Sequence, residues 1–229
     1  MRAFLLKASI AAGLLAAPAH ALAQVLSSKR GFADVGASVE GVRATGSGWY
    51  YTWGLGPAGA GAFDGTSFAP MFWGGWAVNS GNIDAVRNNP DVEWVLGFNE
   101  PERPDQANMT VDQAIVAWRV LSAGFTGTDK KLVTPAVSDT GTGKAWMQAF
   151  RDRVVAEGLK VDAVAFHWYG WASPDNPQQA ANNFIGSMNW YHGLWNKPVF
   201  VTEFAIHDWG GSHPTEAMIE ANRAFLEIV

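Results

Sequence analysis

Val92–Glu102 reads V-E-W-V-L-G-F-N-E-P-E. Its apolar run, Trp94 to Phe98, stops at Asn99, Glu100 and Pro101. Trp94, Val95, Leu96 and Phe98 suit a strand buried on both faces, the pattern of a parallel sheet. Pro101 has no N–H to give to a ladder, so the strand ends there. Glu100 is then at the carboxyl end of a buried strand. Open α/β sheets and α/β barrels carry their chemistry at that end.

A second stretch is built the same way. Lys197–Ile206 reads K-P-V-F-V-T-E-F-A-I, with Val199, Phe200 and Val201 as the buried run and Glu203 at its end. Either glutamate alone reads as a solvated or salt-bridged surface carboxylate. In matched strand-end contexts the two can face each other across one cleft, which is the equipment for hydrolysing a glycosidic bond.

The rest of the chain repeats strand and helix. Strands are expected at Ser27–Asp34, Gly46–Trp53, Ser67–Trp73, Lys131–Val137, Asp162–Tyr169 and Pro198–Thr202, besides the Glu100 stretch. Helices are expected at Asn82–Asn88, Met109–Gly124, Gly143–Gly158, Pro177–Trp195 and Pro214–Val229. Thr110 and Gln113 form a capping box, with Gly124 as the stop. Alternating strands and helices give right-handed crossovers and a parallel sheet. The expected fold is therefore α/β, a (β/α)8 TIM barrel. Only seven strands are visible, and the sequence stops within an apolar helix at Leu226, Ile228 and Val229. A C-terminally truncated chain without its last strand is the expectation. A seven-stranded open sheet is the alternative, and it would leave strand edges unpaired.

Composition narrows the function. The 229 residues include no Cys, 12 Trp and 48% hydrophobic residues, with a formal charge of −5. Such a chain has enough apolar residues for a core. Its acidic balance argues against nucleic acid or an anionic membrane as partner. Met1–Ala23 reads as a secretory signal peptide: Arg2 and Lys7, then a short apolar centre, then Ala21-Leu22-Ala23. Residues 24–229 would form one domain, exported and monomeric, held by packing without disulfides. Asn108-Met109-Thr110 is a glycosylation sequon.

The aromatic residues are candidate sugar platforms, since Trp pairs a flat apolar face with one polar edge. Trp49, Tyr50, Trp53, Trp73, Trp168 and Trp171 lie at strand ends or near them, and His167 and Tyr169 join them in H-W-Y-G. Period-2 alternation puts Trp49 and Tyr51 on one face and Tyr50 on the other. Trp73 and Trp168 are favoured for the cleft, whereas Trp118 fits the buried stripe of a helix. No H-E-x-x-H or clustered ligand spacing accompanies His167, so neither metal nor cofactor is expected. Asp139, Asp175 and Asp208 read as loop carboxylates. Gly54, Gly56 and Gly59 fit G-x-G-x-x-G, but Pro57 and the lack of a following helix argue for a rim loop.

Taken in order, several motifs resemble glycoside hydrolase family 128, a retaining clan-A family. They are K-R-G at Lys29–Gly31, G-W-Y-Y-T-W at Gly48–Trp53, F-A-P-M-F-W at Phe68–Trp73, L-G-F-N-E-P at Leu96–Pro101, H-W-Y-G at His167–Gly170 and V-T-E-F-A at Val201–Ala205. The resemblance implies β-1,3-glucan as substrate, Glu100 as general acid/base and Glu203 as nucleophile. It also implies that Asn99 binds the sugar's 2-hydroxyl. Tyr169 or His167 would then donate to Glu203. Thr52 departs from the family's W-Y-Y-N-W. Two other readings stand beside this one: a secreted polysaccharide-binding protein without turnover, and a clan-A hydrolase of a β-1,4-linked glycan.

Overall fold

The computed structural model describes residues 27–33, 45–57, 65–170, 176–207 and 215–229. The signal-peptide expectation, Trp171, Asp175 and Asp208 lie outside them. Among the described residues no helix is long and apolar enough to cross a membrane.

All pairings are parallel. Strands β1 (Ser27–Ala33), β2 (Ser47–Tyr51) and β3 (Ser67–Phe68) form one sheet. Strands β4 (Trp94–Val95), β5 (Lys131–Ser138), β6 (Ala163–Gly170) and β7 (Val199–Ile206) form another, in chain order. A bridge between Met71 and Leu96 joins the two. Helices α1 (Ser80–Arg87), α2 (Val111–Phe125), α3 (Gly141–Ala156), α4 (Pro177–Trp195) and α5 (Glu216–Ile228) follow the strands.

The sheet curls strongly. Rings from β4 and β7, which are not neighbours, meet at Trp94 and Phe200, 4.8 Å between centroids. Tyr51 of β2 donates its hydroxyl to the Thr202 carbonyl of β7 at 3.0 Å. A concave core fills the curl: Tyr51, Met71, Leu96, Val133, Ala163 and Ala165, with Trp49, Trp94 and Phe200 against them. The larger outer core packs strands on helices, with Trp118, Phe150, Phe166, Tyr191 and Phe225 fully buried. β1 and β7 stand at the two ends of the strand order, and no ladder joins them among the described residues.

Local chemistry explains where elements begin and end. Thr110 and Gln113 do make a reciprocal capping box. Gly124 does not stop α2, which runs to Phe125; a Cβ there would fall 2.6 Å from Ile83, so this glycine serves helix packing. The N-caps of α1 and α5 are Asn79 and Thr215, whose side chains accept from Asn82 N and Met218 N. The ladder of β4 is shorter than its apolar run because β5 carries Pro135, which has no N–H to offer. The β5 register shifts between Val133 and Ala136. The Thr134 hydroxyl takes up the Ala165 N–H at 2.9 Å, and Gly97 lies so close to Pro135 that a Cβ would sit 2.6 Å from its nitrogen. Pairing resumes at Asn99 and Ala136.

Two strand expectations change. β7 continues to Ile206, so Glu203 lies within the strand, not at its end. Val199, Phe200 and Val201 are only half-buried, because β6 is the one ladder partner of β7 among the described residues.

Candidate active site

Glu100 and Glu203 are brought together by one imidazole. His167 pairs with Glu203 across the β6–β7 ladder, so both side chains leave the same face. His167 Nδ1 is 3.0 Å from Glu100 Oε1 and 3.6 Å from Glu203 Oε2. The His167 side chain is fully buried. Its Nε2 has no partner among the described residues. Glu100 is reached through the Asn99–Ala136 bridge, and its own N–H donates to the Ala136 carbonyl at 2.7 Å.

The second carboxylate is held by donors from two strands, β2 with the turn that follows it and β6. Trp53 Nε1 donates to Glu203 Oε1 at 2.7 Å, the Tyr169 hydroxyl to Oε2 at 2.8 Å, and Tyr51 more weakly to Oε1 at 3.4 Å. Burial, and after it the charge of Glu203, pushes the hydroxyls of Tyr51 and Tyr169 well above the ordinary phenol range. Both therefore stay protonated and remain donors at any working pH. Such charge-assisted bonds are the strong ones.

Backbone strain sits at the same place. Four described non-glycine residues have positive φ: Trp53, Glu100, Asn108 and Asn196. Asn tolerates that region. Trp53 (φ 55°) and Glu100 (φ 40°) do not adopt it cheaply; each costs about 1–3 kcal/mol, a cost characteristic of functional sites. The left-handed turn at Trp53 accompanies the indole N–H bond to Glu203.

Around the pair, Asn99 is 4% exposed and donates Nδ2 to Gln106 Oε1 at 2.9 Å, while its Oδ1 has no partner. Buried acceptors are rarely left so. The Trp73 carbonyl accepts the Asn99 N–H at 2.9 Å, placing this half-buried tryptophan beside the site. Trp49 lies over Gly31, where a Cβ would fall 2.1 Å from the indole. With Trp53, Tyr169 and Glu203 it lines a recess of about 260 Å³ between β1 and β7. Thr52, the departure from the family motif, spends its hydroxyl on the Gly56 carbonyl at 2.7 Å.

Two expected platforms are core residues. Tyr50 is fully buried, stacked on Phe32 and packed on Phe68. Trp168 is 4% exposed, stacked on Phe225 and edge-on to Phe184, and lies on the helix side of β6. Strand alternation is the reason: neighbours of Tyr51 and His167 must point the other way. Asp139 pairs with Lys144 at 2.8 Å and accepts from Ser187 at 2.6 Å, a structural carboxylate.

Three residues outside the expected set belong to the site. Tyr51 was legible from its alternation with Trp49. Arg103, whose Nε lies 3.3 Å from Glu100 Oε2, and Gln106 had no sequence signal beyond nearness to Glu100. Among the described residues no group of three His, Cys, Asp or Glu could hold a metal ion.

A curled parallel α/β sheet that presents two carboxylates on one histidine is the framework of a glycoside hydrolase. Residues 35–229 match the family model for a glycosyl hydrolase catalytic core. The chain belongs to glycoside hydrolase family 128. A solved subgroup I endo-β-1,3-glucanase of that family from Amycolatopsis mediterranei, in complex with laminaritriose, is 30% identical (TM-score 0.75; 87% of this chain and 80% of that one). A subgroup III curdlan-specific exo-β-1,3-glucanase from Blastomyces gilchristii is 29% identical (TM-score 0.60; 80% and 73%). A subgroup II endo-β-1,3-glucanase from Sorangium cellulosum, 24% identical (TM-score 0.62; 79% and 72%), shares the fold. No curated protein matches the chain.

Proposed function

We propose that this chain is an exported, retaining hydrolase of β-1,3-glucan, with Glu203 as nucleophile and Glu100 as general acid/base. The observation that carries the reading is the single His167 nitrogen within reach of both carboxylates. Retaining enzymes hold their carboxyls about 5–5.5 Å apart, and inverting ones about 6.5–9.5 Å to admit a water. A shared nitrogen favours the narrower spacing.

Glu203 attacks the anomeric carbon while Glu100 gives its proton to the departing glycosidic oxygen. A covalent glycosyl-enzyme results. Glu100 then takes a proton from water, which attacks the same carbon and releases Glu203. Three donors on Glu203 aim its oxygens. The unpartnered Asn99 Oδ1 is suited to accept the sugar's 2-hydroxyl, and Trp73 and Trp49 supply apolar faces for the rings. Substrate class is supported by the Amycolatopsis mediterranei relative, solved with laminari-oligosaccharides, among them complexes of two variants that each replace one glutamate. We read the fold as a (β/α)8 barrel whose remaining strand position lies between β7 and β1.

Reducing-sugar release from linear β-1,3-glucan by residues 24–229, with Glu203→Gln as background, tests the proposal. Faster release from a β-1,4-glucan would reassign the substrate. Glucan binding untouched by Glu203→Gln, with no release from the wild type, would make the protein a binder. A mature N-terminus at Gln24 in culture medium or periplasm tests export.

A further inference from the structure

The geometry points to Arg103 as a residue that binds the sugar leaving on the Glu100 side. This rests on the reading of Glu100 as proton donor. The two oxygens of Glu100 face different neighbours: Oε1 is on buried His167, and Oε2 is 3.3 Å from Arg103 Nε. The Arg103 side chain is 45% exposed, so this is the solvent side of the carboxyl. A glycosidic oxygen that takes the proton from Glu100 must lie against that carboxyl. Its departing sugar then comes within reach of the guanidinium.

The arginine is set in place from two directions. Its N–H closes a turn onto the Glu100 carbonyl at 3.0 Å. Asp105 accepts from Nε at 3.2 Å and from Nη2 at 3.0 Å. The turn is itself fixed, since Ala107 donates to the Asn99 carbonyl and Met109 to the Pro101 carbonyl. Nη1 has no partner among the described residues, leaving planar donors for a neutral hydroxyl. Asp105 offsets the charge, which suits an uncharged glycan. The plain alternative is a solvated surface ion pair with no part in binding.

The two readings separate on the leaving group. An aryl β-laminaribioside has a leaving group without sugar hydroxyls and with little need of a proton; a laminari-oligosaccharide needs both. Arg103→Met is expected to lower kcat/KM on the oligosaccharide about tenfold or more, the scale of a lost charge-assisted bond, and to lower it severalfold less on the aryl substrate. Added laminaribiose should also capture less of the glycosyl-enzyme as transfer product. Asp105→Asn, which keeps the cation and loosens it, should give a smaller loss of the same pattern. Equal losses on both substrates, or no loss on the oligosaccharide, would overturn the assignment while leaving the two-glutamate mechanism standing. If Glu100→Gln were also unselective between the substrates, the proton-donor reading would fall and this inference with it.

Discussion

His167 stands directly across the β6–β7 ladder from Glu203, and the same ring nitrogen reaches Glu100. One buried imidazole thus ties together carboxylates from strands that share no ladder. Replacing it with Phe keeps a ring of similar shape and removes the nitrogen that bonds Glu100 and approaches Glu203. We expect kcat/KM to fall about 10- to 100-fold, in line with the loss of a hydrogen bond to a charged group. The thermal midpoint should also drop, since two carboxylates lose a partner. Activity within twofold of wild type would deny His167 this role.

Tyr169→Phe isolates the hydroxyl that donates to Glu203 at 2.8 Å. Its ring is 40% exposed, so stability should barely change. A fall in kcat of about tenfold or more is expected from the loss of one charge-assisted bond. Steady-state kinetics beside calorimetry separates the two effects. A loss of stability with normal turnover would make the contact structural.

Trp53 and Trp168 make a matched pair of tests. Trp53→Phe keeps an aromatic ring and loses the N–H on Glu203, so turnover should suffer about tenfold. Trp168→Ala opens a hole against Phe225 and Phe184. It should cost about 3–5 kcal/mol of folding free energy, measured by denaturant unfolding. If Trp168→Phe, which keeps most of the packing, selectively weakened glucan binding, its placement in the core would be contradicted.

These two tryptophans also show how far the sequence could be read. The apolar runs before Glu100 and Glu203 point to the two carboxylates that meet at one site, although Glu203 lies within β7 and the run before it is only half-buried. Trp168 looked like a cleft residue from its strand-end position alone. The next residue, Tyr169, and the one before, His167, hold the site face, and period 2 leaves Trp168 no choice but the helix side. Tyr50 fails for the same reason, its neighbour Tyr51 being the one that reaches Glu203. Arg103 and Gln106 were beyond reach, since their positions depend on a turn stabilised by the Asn99 and Pro101 carbonyls. The short β4 ladder follows from Pro135, whose effect on a neighbouring strand no local pattern shows.

The tyrosines carry a pH prediction. Burial pushes the hydroxyls of Tyr51, Tyr169 and Tyr191 upward, with negative charge adding to it from Glu203 on the first two and Asp139 on the third. In the unfolded chain they would ionise near the usual value of about 10. Above that pH the unfolded state sheds protons that the folded state keeps. Stability should therefore be fully present below about pH 10 and decline as pH rises further. Absorbance titration at alkaline pH should show the buried phenols, Tyr51 and Tyr191, ionising only with unfolding. Smooth ionisation of all the tyrosines near pH 10 in the folded protein would refute the burial argument.

The most direct test of the account is to trap the glycosyl-enzyme. An activated 2-deoxy-2-fluoro laminaribioside should inactivate the protein with time and add one disaccharide unit to its mass. Peptide mapping should then find that unit on Glu203. A label on any other carboxylate, or an enzyme that releases product of inverted configuration and traps nothing, would contradict the mechanism.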